Sequence, residues 1–508
     1  MSYFESFITF LLKKRYLLLS AFIVLLMISS TINGLWVGDF WEHSAVVREL
    51  AAHPFSPEHP LLAIKTPHAF YSPYSLGVAL FSRICQLDPV TALAIAGVVN
   101  FVLLLISLRL FIGQLFDCRN VDFFTLLFML LLWGQIPWSY SSFFHLRVLN
   151  YVLPYPSTFS TALSLFAFAS FIYAVKNKKP IWYLPILFII AIVLLAHPYT
   201  FIFLTVGLFA LSIGFKAKWV DYIWFTGIYV AAIMIALIWP YFSFIEFIKS
   251  GSSAFHGDIG SMYVKFFSRT WPALLLGIPL IVLRFKKNFR DPLVLMFLGF
   301  ILIYLYGYFF GKSAYGRVIA YFMFVLHLVI AEGAARLEEK FTVKKMTPQI
   351  AHFIFICLIL IVLIPLSFRD VLKVGLRNAI PGKKNSFESY KIFSHYVKHD
   401  EIVLSDIYTS WFIPTFGGKV VASNNALAFV NDQLIRRNDV NLFFSKNTTF
   451  EERIEIIKKY KVDILLFNKE RIPDWEQMAA PFRAIADEIL ANDEFEILRI
   501  HQSIIALE

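Results

Sequence analysis

Charge is scarce in this chain: only 16% of its 508 residues are Asp, Glu, Lys or Arg, against about 25% in an average soluble domain. With 58% hydrophobic and 18% aromatic residues, a soluble fold of this size could not hide the apolar surface. Cysteine is also sparse. Cys85, Cys118 and Cys357 are odd in number and widely scattered, which excludes a disulfide framework and a metal knuckle and gives no sign of redox chemistry. Internal repeats and low-complexity linkers are absent. A basic face is lacking too: the net charge is +11, but the Lys and Arg residues sit between apolar spans, so nucleic acid is not a partner.

What is present is a succession of apolar stretches of about 17 to 25 residues, the length that crosses a hydrocarbon core as a helix. The first, Tyr16 to Trp36, follows Lys13, Lys14 and Arg15. It is long for a signal peptide, and Asn33-Gly34-Leu35 is not a small-residue cleavage site, so it reads as a retained signal anchor. The others are 90–113, 121–140, 157–175, 181–197, 199–215, 220–245, 271–285, 292–311, 316–333 and 348–367, roughly eleven spans in all. Lys13/Lys14/Arg15, Arg119, Lys176/Lys178/Lys179, Lys216/Lys218, Arg284/Lys286/Lys287/Arg290 and Arg336/Lys340/Lys344/Lys345 then fall on one side. The positive-inside rule makes that side cytoplasmic, with the N-terminus in and the C-terminus out.

The expected fold class is therefore mainly α: a polytopic transmembrane helical bundle with a small α/β C-terminal domain outside the cytoplasm. Residues 1–367 form the membrane domain with a large first outer loop, 37–89, and residues 368–508 the outer domain. In the first loop, Asp39 to Ala52 and Tyr74 to Ile84 read as amphipathic helices in the membrane interface. In the outer domain Glu401 to Leu404, Asp463 to Phe467, Phe495 to Ile500 and Ile504 to Leu507 read as strands, and Phe450 to Tyr460 as a helix.

The densest polar group is Gly38-Asp39-Phe40-Trp41-Glu42-His43, where the first span leaves the membrane. At helical spacing Asp39, Glu42 and His43 share one face, which suits general base catalysis or a divalent cation. The plainer reading stands beside it: Asp39 as N-cap with Glu42 at N3 makes a capping box. Outer basic groups are the second clue, because the positive-inside rule does not account for them. Lys65, His145, Arg147, Lys312 and Arg317 could hold an anion such as a lipid phosphate, or snorkel to headgroups. His197-Pro198-Tyr199 breaks two spans at the outer face; His197 there serves as a polar cap of the turn, shuttles protons or binds a phosphate. His53, His59 and His68 lack the spacing of a zinc site. Asn447-Thr448-Thr449 matches a glycosylation acceptor, a pattern with meaning only in a eukaryotic secretory context.

This layout resembles the C-type fold (GT-C) of membrane glycosyltransferases that use polyprenyl-phosphate-linked sugars. The similarity rests on the acidic first-loop motif at Asp39, two interfacial helices, the late outer arginine Arg317 and a soluble domain on the same side. The segments Ser405-Asp406, Thr409-Ser410-Trp411, Pro414-Thr415 and Gly417 to Ala422 look like the outer domain of bacterial members. The resemblance implies a hexosyl- or pentosyltransferase in a bacterial inner membrane, its active site facing the periplasm. Asp39 would be the catalytic base, with Glu42 and His43 orienting it. Arg317, Lys312 and Arg147 would bind the donor phosphate, and His145, His197 and Tyr199 would be accessory groups near a lipid, glycan or protein acceptor. The family often has adjacent acidic residues where this chain has Asp39 and Glu42, which leaves metal dependence open. No other cofactor is implied. The main rival is a transporter or lipid flippase, but the spans are mostly clean of charge. A glycan polymerase or ligase using the same donors is a closer rival.

Overall fold

A computed structural model describes residues 3–505 apart from 33, 35, 37, 135–137, 255–260, 345 and 380–385. Asn33, Leu35, Lys345, residue 37 of the first loop, residues 135–137 of the stretch 121–140 and residues 506–507 lie outside the described residues. Eight described helices are long and apolar enough to cross a membrane: Glu5–Ile32, Pro89–Leu115, Pro156–Asn177, Trp219–Leu237, Phe266–Lys287, Pro292–Phe309, Ser313–Lys340 and Pro348–Arg369. Three shorter apolar helices, Val121–Leu131, Pro180–Ala196 and Pro198–Gly214, occupy the remaining expected positions. The mainly helical class with a small C-terminal sheet is what the structure has. The chain divides into two compact units, one of Met1–Asn33, Ile95–Ala236 and His256–Pro381, the other of Gly34–Ala94, Leu237–Phe255 and Gly382–Glu508.

The first unit is the helical bundle. Its axis is Ser313–Lys340, whose apolar window is 94% buried, whereas that of Trp219–Leu237 is only 17% buried. Small residues let helices approach: a Cβ at Gly207 would lie 2.1 Å from Phe168 Cζ, the close packing that replaces hydrophobic drive between membrane helices. Arg15 is buried in a bidentate pair with Glu338 at 2.5 and 2.9 Å.

One expected span is corrected. Among its described residues, the stretch 121–140 is helical only over Val121–Leu131. Its last carbonyls are taken by other donors, most of them remote: Met129 O by the nearby Trp133 Nε1 at 2.7 Å, Leu130 O by Leu146 N at 3.0 Å, Leu131 O by Ser367 Oγ, and Leu132 O by His327 Nε2 at 3.1 Å. A helix can stop inside a low-dielectric bundle only where its orphan carbonyls find such partners.

The second unit is built on a five-stranded sheet ordered β2-β1-β3-β5-β4, with β1 Ile402–Leu404, β2 Lys419–Val420, β3 Ile464–Asn468, β4 Ala486–Ala491 and β5 Phe495–Ile500. β2, β1 and β3 are parallel; β5 and β4 are antiparallel. The first loop adds to the β2 edge, where Val420 N donates to Leu61 O at 2.7 Å and Leu62 bridges Val420. The helices Gln433–Phe443 and Phe450–Tyr460 turn Val440, Phe443, Ile456 and Ile457 into the core of this unit. Thr449 and Glu452 form a capping box at the second of them, so the Asn447-Thr448-Thr449 pattern has a structural role.

Three further expectations are corrected here. The first-loop helix Phe40–Ala52 does not present a polar face to a membrane surface; ten of its residues, Glu42, His43 and Glu49 among them, are buried against Pro73–Cys85 and the turn Ile413–Phe416. The expected capping box is not formed: the Asp39 side chain makes no capping hydrogen bond and faces Asn425. Ile504 lies in the helical turn Gln502–Ile505 and not in a strand.

Candidate functional site

In the sheet-bearing unit, Gly38 takes a left-handed φ of 66°, a conformation that favours glycine, and so turns the chain into Phe40–Ala52 with Asp39 exposed at its start. Trp36 stacks on Phe40 at 4.3 Å and Trp41 packs on Phe412 at 4.8 Å, which fixes the start of the helix from two sides. Glu42, one turn on, is 3% exposed. Its Oε1 lies 3.3 Å from His68 Nε2, and its Oε2 accepts from Asn425 Nδ2, which also donates to Asp39 Oδ1 at 3.2 Å. A buried carboxylate needs such donors.

The imidazoles behind this pair can be assigned. His68 Nδ1 accepts from Phe70 N at 3.2 Å, so Nε2 carries the proton and donates to Glu42. His59 Nδ1 likewise accepts from Leu61 N and Leu62 N at 3.2 and 3.0 Å, and its ring meets His68 edge-on at 5.1 Å. Burial holds the His59 pKa well below its ordinary value. His43 stacks on Phe70 at 4.5 Å, and burial pulls its pKa down to about 4, with Glu42 opposing and His68 adding to the fall. His43 is neutral at pH 7 and lies among aromatics. Farther along the helix, Glu49 pairs with Lys419 at 2.8 Å, and Lys419 also donates to His59 O at 2.8 Å.

Metal binding can be tested on the donor set. Both Glu42 oxygens face N–H donors, which a cation would have to displace, and among the described residues no group of three or more His, Cys, Asp or Glu converges to hold one. The arrangement suits proton transfer at Asp39 without routing a step through a metal.

The helical unit carries a separate cationic cluster. Arg317 lies in the short 3-10 turn Ser313–Val318. It donates to Ser141 Oγ, and its guanidinium sits 4.6 Å from the Tyr199 ring and 5.8 Å from Tyr140. His197 caps Pro198–Gly214 by accepting from Thr200 N at 3.2 Å, and its Nε2 lies 3.3 Å from Ser141 Oγ. Nε2 therefore donates, and Ser141 accepts from both His197 and Arg317, which leaves its own O–H to donate. Thr200 and Ser142 meet Tyr321 OH at 3.1 and 3.2 Å and fix the base of the cluster.

The other expected groups lie apart from these contacts. Lys312 is exposed. Arg147 is half-buried. His145 is buried; its Nε2 donates to Trp138 O at 3.1 Å, and burial holds its pKa down near 3. Lys65 is exposed. Sequence reasoning gave no part in the site to Asn425, His68, Ser141 or Tyr140. Asn425 is 383 positions from Glu42, and no local pattern marks it.

No family model matches this chain, and no curated protein does. Solved structures do match. The archaeal oligosaccharyltransferase AglB from Archaeoglobus fulgidus, in complex with an inhibitory peptide and a dolichol-phosphate, is similar at a TM-score of 0.54 and 11% identity, over 92% of this chain and 71% of that one. The apo form of the Archaeoglobus fulgidus oligosaccharyltransferase matches at 0.54 and 10%, with the same coverage. At such identities the likeness is one of fold, and the fold it supports is the C-type membrane glycosyltransferase architecture.

Proposed function

We propose that this protein is a membrane glycosyltransferase that moves a hexosyl or pentosyl group from a polyprenyl-phosphate donor to a lipid, glycan or protein acceptor on the outer side of a bacterial inner membrane. The observation that carries this reading is the exposed carboxylate of Asp39, held by a shared amide beside the buried carboxylate of Glu42. Asp39 takes the proton of an acceptor hydroxyl as its oxygen attacks the sugar carbon, and the lipid phosphate leaves. A base so placed contributes about 10² to 10⁴ in rate. Glu42 and His68 fix the start of the helix that carries it.

Arg317, stacked on Tyr199 and backed by Ser141, provides a rigid guanidinium for the departing phosphate, with a charge strengthened by its low-dielectric surroundings. Lys312, exposed, and Arg147, half-buried, are further cations of the helical unit. The dolichol-phosphate in the similar archaeal enzyme supports a lipid-linked donor. The distribution of Lys and Arg between spans supports the outward orientation.

The test is transfer of radiolabelled sugar from polyprenyl-phosphate donors by purified protein in detergent. Wild-type transfer that disappears in folded Asp39→Ala supports enzyme and base together. Full activity in Asp39→Ala removes the base, and no transfer from any donor turns the reading toward transport.

A further inference from the structure

A single side chain ties the carboxylates of Asp39 and Glu42 to the residues that follow β2. Asn425 Nδ2 contacts Asp39 Oδ1 at 3.2 Å and also Glu42 Oε2. Because acceptors face it on both sides, the amide nitrogen and not the oxygen points at them. Its two protons are then divided between the two carboxylates. The loop that presents it is itself fixed: Asn425 N donates to Ser423 Oγ at 3.2 Å, and Arg437 of the helix Gln433–Phe443 donates to Ser423 O at 3.0 Å and Asn424 O at 2.5 Å.

We propose that Asn425 is a positioning residue for the transfer reaction, a two-proton clamp that holds the Asp39 and Glu42 carboxylates side by side and fixes the direction in which Asp39 meets the acceptor hydroxyl. This rests on the reading of Asp39 as the base. Two like charges this close would repel and swing apart if nothing lay between them. The amide neutralises that repulsion without adding a charge that would quench the base. Glu42 is held on its other side by His68, so it is the fixed anchor of the pair and Asp39 is the member the clamp orients.

The experiment compares full-length wild type, Asn425→Ala and Asn425→Asp in nanodiscs. With sugar transfer as readout, Asn425→Ala lowers kcat about 10- to 100-fold, the scale of a misplaced group, and leaves the donor KM unchanged. Asn425→Asp, nearly the same shape, is worse than alanine because it adds a third carboxylate; a packing role would give the opposite order. Wild-type kcat in both variants, or an effect on KM alone, overturns the proposal. A second readout needs no turnover: carbodiimide couples to carboxyls it can reach, and without the amide that holds them the two carboxylates move apart and open to the reagent. Labelling of Asp39 and Glu42, followed by mass spectrometry, therefore rises several-fold in Asn425→Ala, and an unchanged rate overturns the clamp. Should wild type label as expected and yet transfer nothing, the glycosyltransferase reading fails and the clamp stands. If the Asn425 variants do not fold, Arg437→Lys loosens the same loop and shows the same changes to a smaller degree, or the clamp is wrong.

Discussion

Replacing Glu49 with leucine is expected to destabilise the protein more than replacing its partner Lys419 with methionine, although both changes break one 2.8 Å ion pair. The side chains are 0% and 2% exposed, and removing one member of a buried pair costs about 3–5 kcal/mol because the other charge is stranded. The two stranded charges are not equal. Without Lys419, Glu49 keeps the Glu58 N–H at 3.1 Å, with Arg48 Nη2 at 3.9 Å and His399 Nε2 at 3.8 Å nearby, so the cost falls near about 3 kcal/mol. Without Glu49, the Lys419 ammonium keeps the His59 carbonyl and the weaker pull of Glu58 against the like charge of Arg48, and the cost approaches about 5 kcal/mol. For a unit of this size such losses lower Tm by roughly 6–20 °C. The double variant leaves no stranded charge and recovers most of the loss. Tryptophan fluorescence during thermal unfolding of the purified protein measures all three. A larger loss for Lys419→Met, or a double variant worse than Glu49→Leu, refutes the reasoning.

Asp39→Asn keeps the size and removes the base; sugar transfer in detergent is expected to fall about 10²- to 10⁴-fold with the fold intact by circular dichroism. Arg317→Lys keeps the charge but loses the stacking on Tyr199, so the KM for a polyprenyl-phosphate donor rises about tenfold in steady-state assays, and an unchanged KM would discard the phosphate role. His43 has its pKa lowered to about 4 in the folded protein from an ordinary 6.5, so the unfolded chain takes up its proton first. The stability it contributes is complete above pH 6.5 and is lost as pH falls toward 4, amounting to about 3 kcal/mol. His43→Phe, which keeps the ring stack on Phe70, should flatten urea-derived stability across that window by one proton, and an identical slope would show that His43 does not titrate this way.

The membrane helices were legible because a span needs a long apolar run and little else. The end of Val121–Leu131 was not, since its carbonyls are satisfied by Leu146, His327 and Ser367, far away in sequence. β1, β3 and β5 could be read from their apolar runs. β2 is two residues long and carries a buried lysine, and β4 carries Asp487 and Glu488, so neither shows a strand pattern. The first-loop helix had a clear amphipathic stripe, but its polar residues find buried partners, and that inverted the expectation of a membrane-surface helix. Asp39 and Glu42 could be picked out as neighbours in sequence. Their partners His68 and Asn425 are brought in by the fold, and only three-dimensional proximity reveals them.

The bridge that Leu61 and Leu62 add to β2 makes the sheet-bearing unit a composite of distant stretches of one chain. Glu49 and Lys419 are 370 positions apart, and at a synthesis rate of about 5–20 residues per second the first waits roughly 20–70 s for the second. During that interval Glu42 and Glu49 have only their nearby donors, His68 and the Glu58 N–H, and lack Asn425 and Lys419, so the helix that carries them cannot settle into its final surroundings. Assembly of this unit is thus a late event: a ribosome stalled between Arg369 and β2 leaves a chain with its apolar spans made and its acidic motif uncompleted.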